Sequence, residues 1–430
     1  MDSGNTAWLL VAASFVFLMT PAVAFFYGGM VRSKAILNML MLSAGSIAVT
    51  SIVWALWGWS IAYAGHDIAG IFGDPAAGFL LKDSVLADAS SGTYTSVAAD
   101  ANGIPSTVTV AFQATFAMIT VALISGAIAE RIKYSTWMIF VALWITFVYA
   151  PMAHMVWNGG LLSGTGAISQ AIGAAAHDFA GGTVVHINAA IAALVVVLII
   201  GKRHGFGTQP FRPHNVPFVM LGAFLLWFGW FGFNAGSALK ADGNAGYAWL
   251  STTLAAAAAM LAWGFTERVR TGHYTAMGAA SGMVAGLVAI TPAADVVSPL
   301  WAIVLGAITG VICCLACSLK FKFGYDDSLD VVGVHGVGGV LGCVLIGFFA
   351  SGTGLFSGGD YKQLLVQVCI ALVAILYSAV ITAIIAFVLE KTVGWRVSKE
   401  DEIHGVDVSD QGERGYDFAG GNGYTLREVQ

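Results

Sequence analysis

Long apolar runs separated by short polar connections dominate this chain. A helix that crosses a bilayer needs roughly 20 residues with few charges. By that measure the runs near residues 8–29, 36–64, 105–129, 134–156, 178–200, 216–237, 247–266, 274–293, 299–319, 331–350 and 363–389 predict about eleven membrane helices. A transmembrane β-barrel would show short segments of alternating character instead, and the sequence shows none. The expectation is an all-α integral membrane protein. The largest polar connection, from about His66 to Ile104, carries Gly73-Asp74-Pro75 and a Ser/Thr/Asp-rich middle suited to an aqueous loop. A second linker, Gly201 to Pro217, divides the spans into a first five and a second five. Each half places a Gly-rich segment with an Asp ahead of a His on its fifth span. That parallel predicts two inverted, pseudo-twofold five-helix halves plus a final helix.

Composition sharpens this picture. Of 430 residues, 58% are hydrophobic and 10% charged, against about a quarter charged in soluble domains. The net charge of −5 says little about partners, but the placement of basic residues orients the chain. Arg32, Lys34, Arg131, Lys133, Lys202, Arg203, Arg212, Arg268, Arg270, Lys320 and Lys322 occupy one set of connections, and Lys391, Arg396, Lys399, Arg414 and Arg427 occupy the tail. Only Lys82, Lys240 and Lys362 lie in the opposite set. This asymmetry predicts an N-terminus outside and a C-terminus in the cytoplasm. The opening MDSGNTAW lacks a basic stretch, and the apolar run after it is too long for a signal-peptide core, so it reads as a retained first helix. Residues 1–390 then form the membrane domain and 391–430 a polar tail. The five cysteines all fall in predicted spans, and the Cys314-x-x-Cys317 pair has no second pair beside it, so they read as small apolar side chains. Gly278, Gly282 and Gly286, and Gly306 with Gly310, have the spacing of close helix contacts.

The candidate chemistry lies in the spans. His186 sits in DFAGGTVVHINAA and His335 in DVVGVHGVGG. Ionisable groups at membrane depth are costly and mark pathways or partners. Two neutral imidazoles can satisfy each other through one N–H···N bond and can share a proton. Asp178 and Asp330, each ahead of a histidine, are expected to cap their helices, Asp178 also shaping the outer mouth. Phe112 and Phe116 share a helical face; Phe231 and Phe233 precede Ser237, and Trp157 lies near the outside. If some converge, they form an aromatic cage suited to a small cation. His154 is expected at the interface, and His66, His204, His214, His273 and His404 in connections or tail. No nucleophile or metal constellation stands in the polar loops, so an enzyme is not expected.

Taken together, FYGGMVRSK from Phe26, VAFQATFAMITVALISGAIAERI, HMVWNGG, DFAGGTVVHINAA, GWFGFNAGSA and DVVGVHGVGG closely resemble the ammonium transporter family (Amt/Mep/Rh), in its bacterial or archaeal Amt branch. The resemblance covers nearly the whole chain. It implies eleven helices in pseudo-twofold halves and a homotrimer in the inner (cytoplasmic) membrane with one pore per subunit. It implies an external ammonium site of Phe116, Trp157 and Ser237, a gate of Phe116 and Phe233, a pore dyad of His186 and His335, and Asp178 as structural support of that site. The expected substrate is ammonium or ammonia, with methylammonium as a further candidate, no cofactor and no nucleic acid. In the tail, Gly394, Arg396 and Gly405 match the family's recurring positions, and the mixed charges predict folding onto loops carrying Arg131, Lys202 and Arg203. The resemblance implies that a PII-type signalling protein docks on this face, although the Gly-rich stretch from Gly415 to Gln430 departs from the family's pattern. Two other readings stand beside transport: an ammonium sensor reporting through its tail, and a membrane haem protein with His186 and His335 as axial ligands.

Overall fold

The computed structural model describes residues 1–97 and 99–416. Among them, ten helices are long and apolar enough to cross a membrane: Ser3–Met30, Ser33–Tyr63, Ser106–Ile128, Tyr134–Trp157, Gly182–Ile200, Val216–Ala235, Gly243–Thr271, Pro299–Phe323, Val332–Phe349 and Tyr361–Thr392. A further apolar helix, Ala276–Ile290, has only 15 residues. It stops two residues before Pro292, which has no N–H to give a helix, and turns carry the chain on to Val297. The eleven expected runs thus appear as ten full-length helices and one short one.

Helix starts reflect the local sequence. Asp2, Asp242, Thr275, Ser298 and Asp360 each accept a hydrogen bond from a backbone N–H in the first turn they precede, satisfying donors that the helix itself leaves unpaired. Glycine then sets how closely helices approach. Ser3–Met30 packs on Val216–Trp230, the first spans on either side of the linker. Gly243–Thr271 packs on Ala276–Ile290 and on Pro299–Ala316. A Cβ on Gly306 or Gly310 would lie 2.3 and 2.4 Å from the carbonyl oxygens of Ala255 and Ala259, so the spaced glycines serve packing. Large apolar side chains such as Phe224, Leu261, Phe265, Leu376 and Phe387 point outward, as they can where lipid is the solvent.

The long connection departs from an all-α reading. It holds two small antiparallel hairpins, Asp67–Ile68 with Phe72–Gly73 and Val85–Asp88 with Thr93–Ser96. In the second, the Asp88 carboxylate accepts bonds from the Ser90 N–H and from the hydroxyls of Ser90 and Ser91, and Gly92 turns the chain at φ +67°.

The opposite face is tied together by a buried ionic cluster. Arg203 donates to Asp326 at 2.8 and 2.9 Å and to Glu130 at 3.1 Å. Arg32 pairs with Glu130 at 3.0 Å, and Arg131, fully buried, lies 3.6 Å from Asp326. Burial alone would raise the Glu130 and Asp326 carboxyls, but the guanidinium groups around them hold both below the usual carboxylate range. The tail folds over this face through residue 416. The Arg131 carbonyl accepts from Val397 N–H at 3.1 Å, Arg396 donates to the Lys202 carbonyl at 2.7 Å, and Asp407 accepts from the N–H groups of Leu37 and Asn38 at 3.0 and 2.8 Å. Gly405, at φ +128°, leaves no room for a Cβ beside Lys34. The tail therefore docks mostly through backbone groups; Arg131 and Arg203 spend their side chains on the internal carboxylates rather than on tail charges. Residues 417–430, most of the Gly-rich stretch, lie outside the described residues.

Candidate functional site

Three local distortions build the site. His186, His335 and Phe233 each lie in a π-helical turn: Gly182–Ile187, Val332–Gly336 and Phe231–Ala235. Such turns insert an extra residue into the α-helical ladder and are frequent at functional sites. The turn at His186 has a visible cause. The Asp178 carboxylate accepts from the N–H groups of Gly181, Gly182 and Thr183 at 2.8, 2.7 and 2.8 Å, and from the Thr183 hydroxyl. Gly181 takes φ +116°, and a Cβ on Gly182 would lie 2.6 Å from Pro292 and 2.8 Å from Cys343. The two glycines of DFAGG are thus required, one by backbone angle and one by space.

The side chains stack in order from the hairpin side inward. Trp157 donates from Nε1 to the Asp178 carbonyl at 2.9 Å and meets Phe116 edge-on, ring centroids 6.0 Å apart. Phe116 stacks on Phe233 at 4.1 Å and 16°, and both are buried. Phe233 lies 6.2 Å from the His186 ring, which stacks at 5.4 Å on His335. The two histidines face each other through Nδ1 atoms 3.3 Å apart. Beneath Phe233 both rings line a cavity of about 10 Å³, otherwise walled by apolar side chains that include Ile119, Leu123, Leu226 and Trp230. That is room for about one water-sized molecule. Ser237 sits one turn after Phe233 and donates to its carbonyl at 2.8 Å; with its proton so engaged, Oγ keeps its lone pairs as acceptors.

The structure gathers Phe116, Trp157, Phe233, His186, His335 and Asp178 into one column, with Phe112 packed on Phe116 at 4.8 Å. Phe231 does not join them: it faces the other way and stacks on Trp249 at 4.3 Å, because neighbours in a helix point to different sides. His154 lies at the end of its span, against the first hairpin. It is buried, bonded to the Ala62 carbonyl at 3.1 Å and to Asp67 at 2.7 Å. The haem reading fails on geometry, since histidine nitrogens in direct hydrogen-bond contact leave no space between them for a macrocycle.

Asp330 does not cap the His335 segment. It sits at φ +64° and pairs with Lys320 at 2.8 Å. Asp327 makes the cap, accepting from Val331 and Val332 N–H at 3.1 and 2.8 Å. Burial, with the Asp330 charge beside it, pushes the Asp327 carboxyl up to about 6, against the pull of Lys320. The signal was in the spacing: Asp178 precedes His186 by the same number of residues as Asp327 precedes His335. Sequence reasoning also passed over His177, whose Nε2 lies 2.8 Å from Asp295 Oδ1. Its place beside Asp178 was the available clue.

A profile of the Ammonium Transporter Family matches residues 7–416. The chain is 51% identical to an ammonium transporter of Mycobacterium tuberculosis (strain H37Rv) over 444 aligned residues, covering 99% of this chain and 92% of the relative. Among solved structures it is similar to Saccharomyces cerevisiae Mep2, with TM-score 0.81 at 32% identity, covering 93% of this chain and 91% of that one. It is likewise similar to a structure described as a sensor Amt protein, with TM-score 0.84 at 29% identity, covering 95% and 98%.

Proposed function

This chain belongs to the ammonium transporter family, and on that premise we propose that it recruits ammonium from outside, takes its proton and passes ammonia between His186 and His335. The observation that carries this reading is the column itself: a stacked Phe116–Phe233 pair closing over two bonded imidazoles on a cavity about one molecule wide. The faces of Trp157 and Phe116 attract a small cation, and the free lone pairs of Ser237 Oγ accept one of its N–H groups. Potassium has no hydrogen to donate and no proton to give up. Below the phenylalanines an apolar lumen penalises any bare charge by several kcal/mol, whereas neutral ammonia crosses. The histidines give it a polar path without formal charge and share one proton between their Nδ1 atoms. The proton removed outside takes a separate route, which makes net transport electrogenic.

In this reading Ala276–Ile290 counts as the eleventh span, and two five-helix halves meet at the column. The basic asymmetry places the N-terminus and hairpins outside and the tail in the cytoplasm. The protein works as a trimer whose tail face receives a PII-type regulator. The test is current and internal pH change in liposomes holding the full chain. Ammonium should evoke a saturable inward current and potassium none. Binding of ammonium without flux would favour the sensor reading; neither binding nor current would overturn both.

A further inference from the structure

His177 and Asp295 form an ion pair at the outer end of the column that ammonium recruitment and ammonia passage do not use. His177 adjoins Asp178, whose carbonyl holds Trp157. Asp295 belongs to the turn after Ala276–Ile290, in the other half of the chain. Three hydrogen bonds hold the backbone around the pair. Gln367 accepts from the His177 N–H at 2.8 Å and donates to its carbonyl at 2.8 Å, and Phe179 N–H donates to the Pro292 carbonyl at 3.1 Å. The two side chains are 29% and 15% exposed. Water can therefore deliver protons to the imidazole, yet the surroundings are dry enough that a charge there is only partly screened.

We propose that His177 sets the charge of the outer mouth: as an imidazolium it cancels Asp295, and once neutral it leaves the Asp295 charge to attract ammonium. The inference rests on the transport reading. Among the described residues, the charged groups that act on His177 are both acidic. Asp295 faces it from the turn, and Asp178 is its neighbour in the chain. From Tyr361–Thr392 it meets the uncharged Gln367, beside the uncharged Gln363, and Lys362 points toward Gly173 instead. Burial pushes the imidazole down, but the Asp295 hydrogen bond and the charges of Asp295 and Asp178 outweigh it and lift His177 above its ordinary value of 6.5. The charged form is therefore the one the fold favours. It persists further toward alkaline pH than a free imidazolium and is lost as pH rises through the lifted value. Uptake should strengthen as the outside turns alkaline, because one unit of positive charge leaves the mouth. At the effective dielectric of a protein surface this should change KM roughly two- to tenfold.

The experiment measures ammonium-evoked initial current against ammonium concentration, with the full chain in liposomes, at external pH from about 5.5 to 8.5. Wild-type KM should fall as pH rises. His177→Gln keeps a donor for Asp295 but cannot carry charge, so its KM should stay low and flat at every pH. Asp295→Asn removes the attracting carboxylate together with the charge that keeps His177 protonated, so its KM should exceed wild type on the alkaline side. The double variant should be flat. The opposite signs separate a charge effect from a brace, whose loss would raise KM in both single variants. A His177→Gln protein with the wild-type pH profile, or a rise in KM in both single variants, would overturn the inference while leaving transport intact. A wild type without ammonium current would overturn the transport reading and this one with it.

Discussion

At the residue scale the proposed transport mechanism separates the groups assigned to hold the cation at the mouth from those that line the cavity beneath it. Ser237→Ala removes an oxygen acceptor and nothing of the aromatic faces. It should raise KM roughly tenfold, the value of a hydrogen bond to a charged donor, while leaving the maximal current close to wild type; ammonium titration of the current measures both. His335→Ala acts deeper. It strips His186 Nδ1 of its partner and widens an already narrow lumen. Ammonium flux should fall or potassium should begin to permeate, and the same assay with both ions tells which. Wild-type flux and selectivity in that variant would leave the dyad a packing role. His186 and His335 stand out in the sequence because ionisable groups inside Gly-rich membrane runs are costly, whereas Phe116, Phe233 and Trp157 are singled out only by the family resemblance, since aromatic residues in membrane helices ordinarily pack, face lipid or anchor at the interface. Phe231 was not separable from Phe233 by type. Which of two near neighbours faces the lumen depends on the turn at Phe231–Ala235, a π-helical one.

Helix starts decide how the histidines are presented, which is a property of elements. Asp178 and Asp327 cap corresponding segments, so their removal should cost more than that of Asp330, whose partner, the mostly buried Lys320, keeps a second acceptor in the Asp327 carbonyl. Asp327→Ala should lower the unfolding temperature in detergent clearly more than Asp330→Ala. A pH signature goes with it. A carboxyl lifted to about 6 contributes stability that is fully present below its ordinary range and is lost as pH rises through about 6. Asp327→Asn does not titrate there, so the fall in stability between roughly pH 4 and 6 should flatten in that variant. An unchanged slope would mean that another group carries it. The spans were readable because apolar length is a one-dimensional property. The cap of the His335 segment was not, because two aspartates lie close together ahead of it, and only the backbone angle of Asp330 shows that this one turns away.

At the scale of the whole molecule, the buried Arg32–Glu130–Arg203–Asp326–Arg131 cluster joins connections from both halves and from the linker. Asp326→Asn would leave buried guanidinium groups without their counter-charge, at a cost of about 3–5 kcal/mol. The variant should unfold at markedly lower temperature, and acid should destabilise the parent progressively from the ordinary carboxylate range down to the lowered range in which the folded Glu130 and Asp326 take up protons. The tail covers this face by backbone bonds to Lys202, Arg131 and the start of Ile36–Val53. Truncation after Val393 should therefore preserve membrane insertion but lower or deregulate flux; normally regulated, full flux would make the tail a passive cover.

The membrane class, the spans, the basic asymmetry and the family were all legible along the chain, because each is written in local runs, counts or contiguous motifs. Folding in three dimensions settled which aspartate caps His335, that His154 is buried, and that His177 meets Asp295 from the other half of the chain. It also settled that Arg131 and Arg203 serve an internal cluster rather than the tail. These outcomes depend on groups far apart in the chain, brought within hydrogen-bond distance by helix packing. Local pattern dictates which residue types are available, but not which partner reaches each of them.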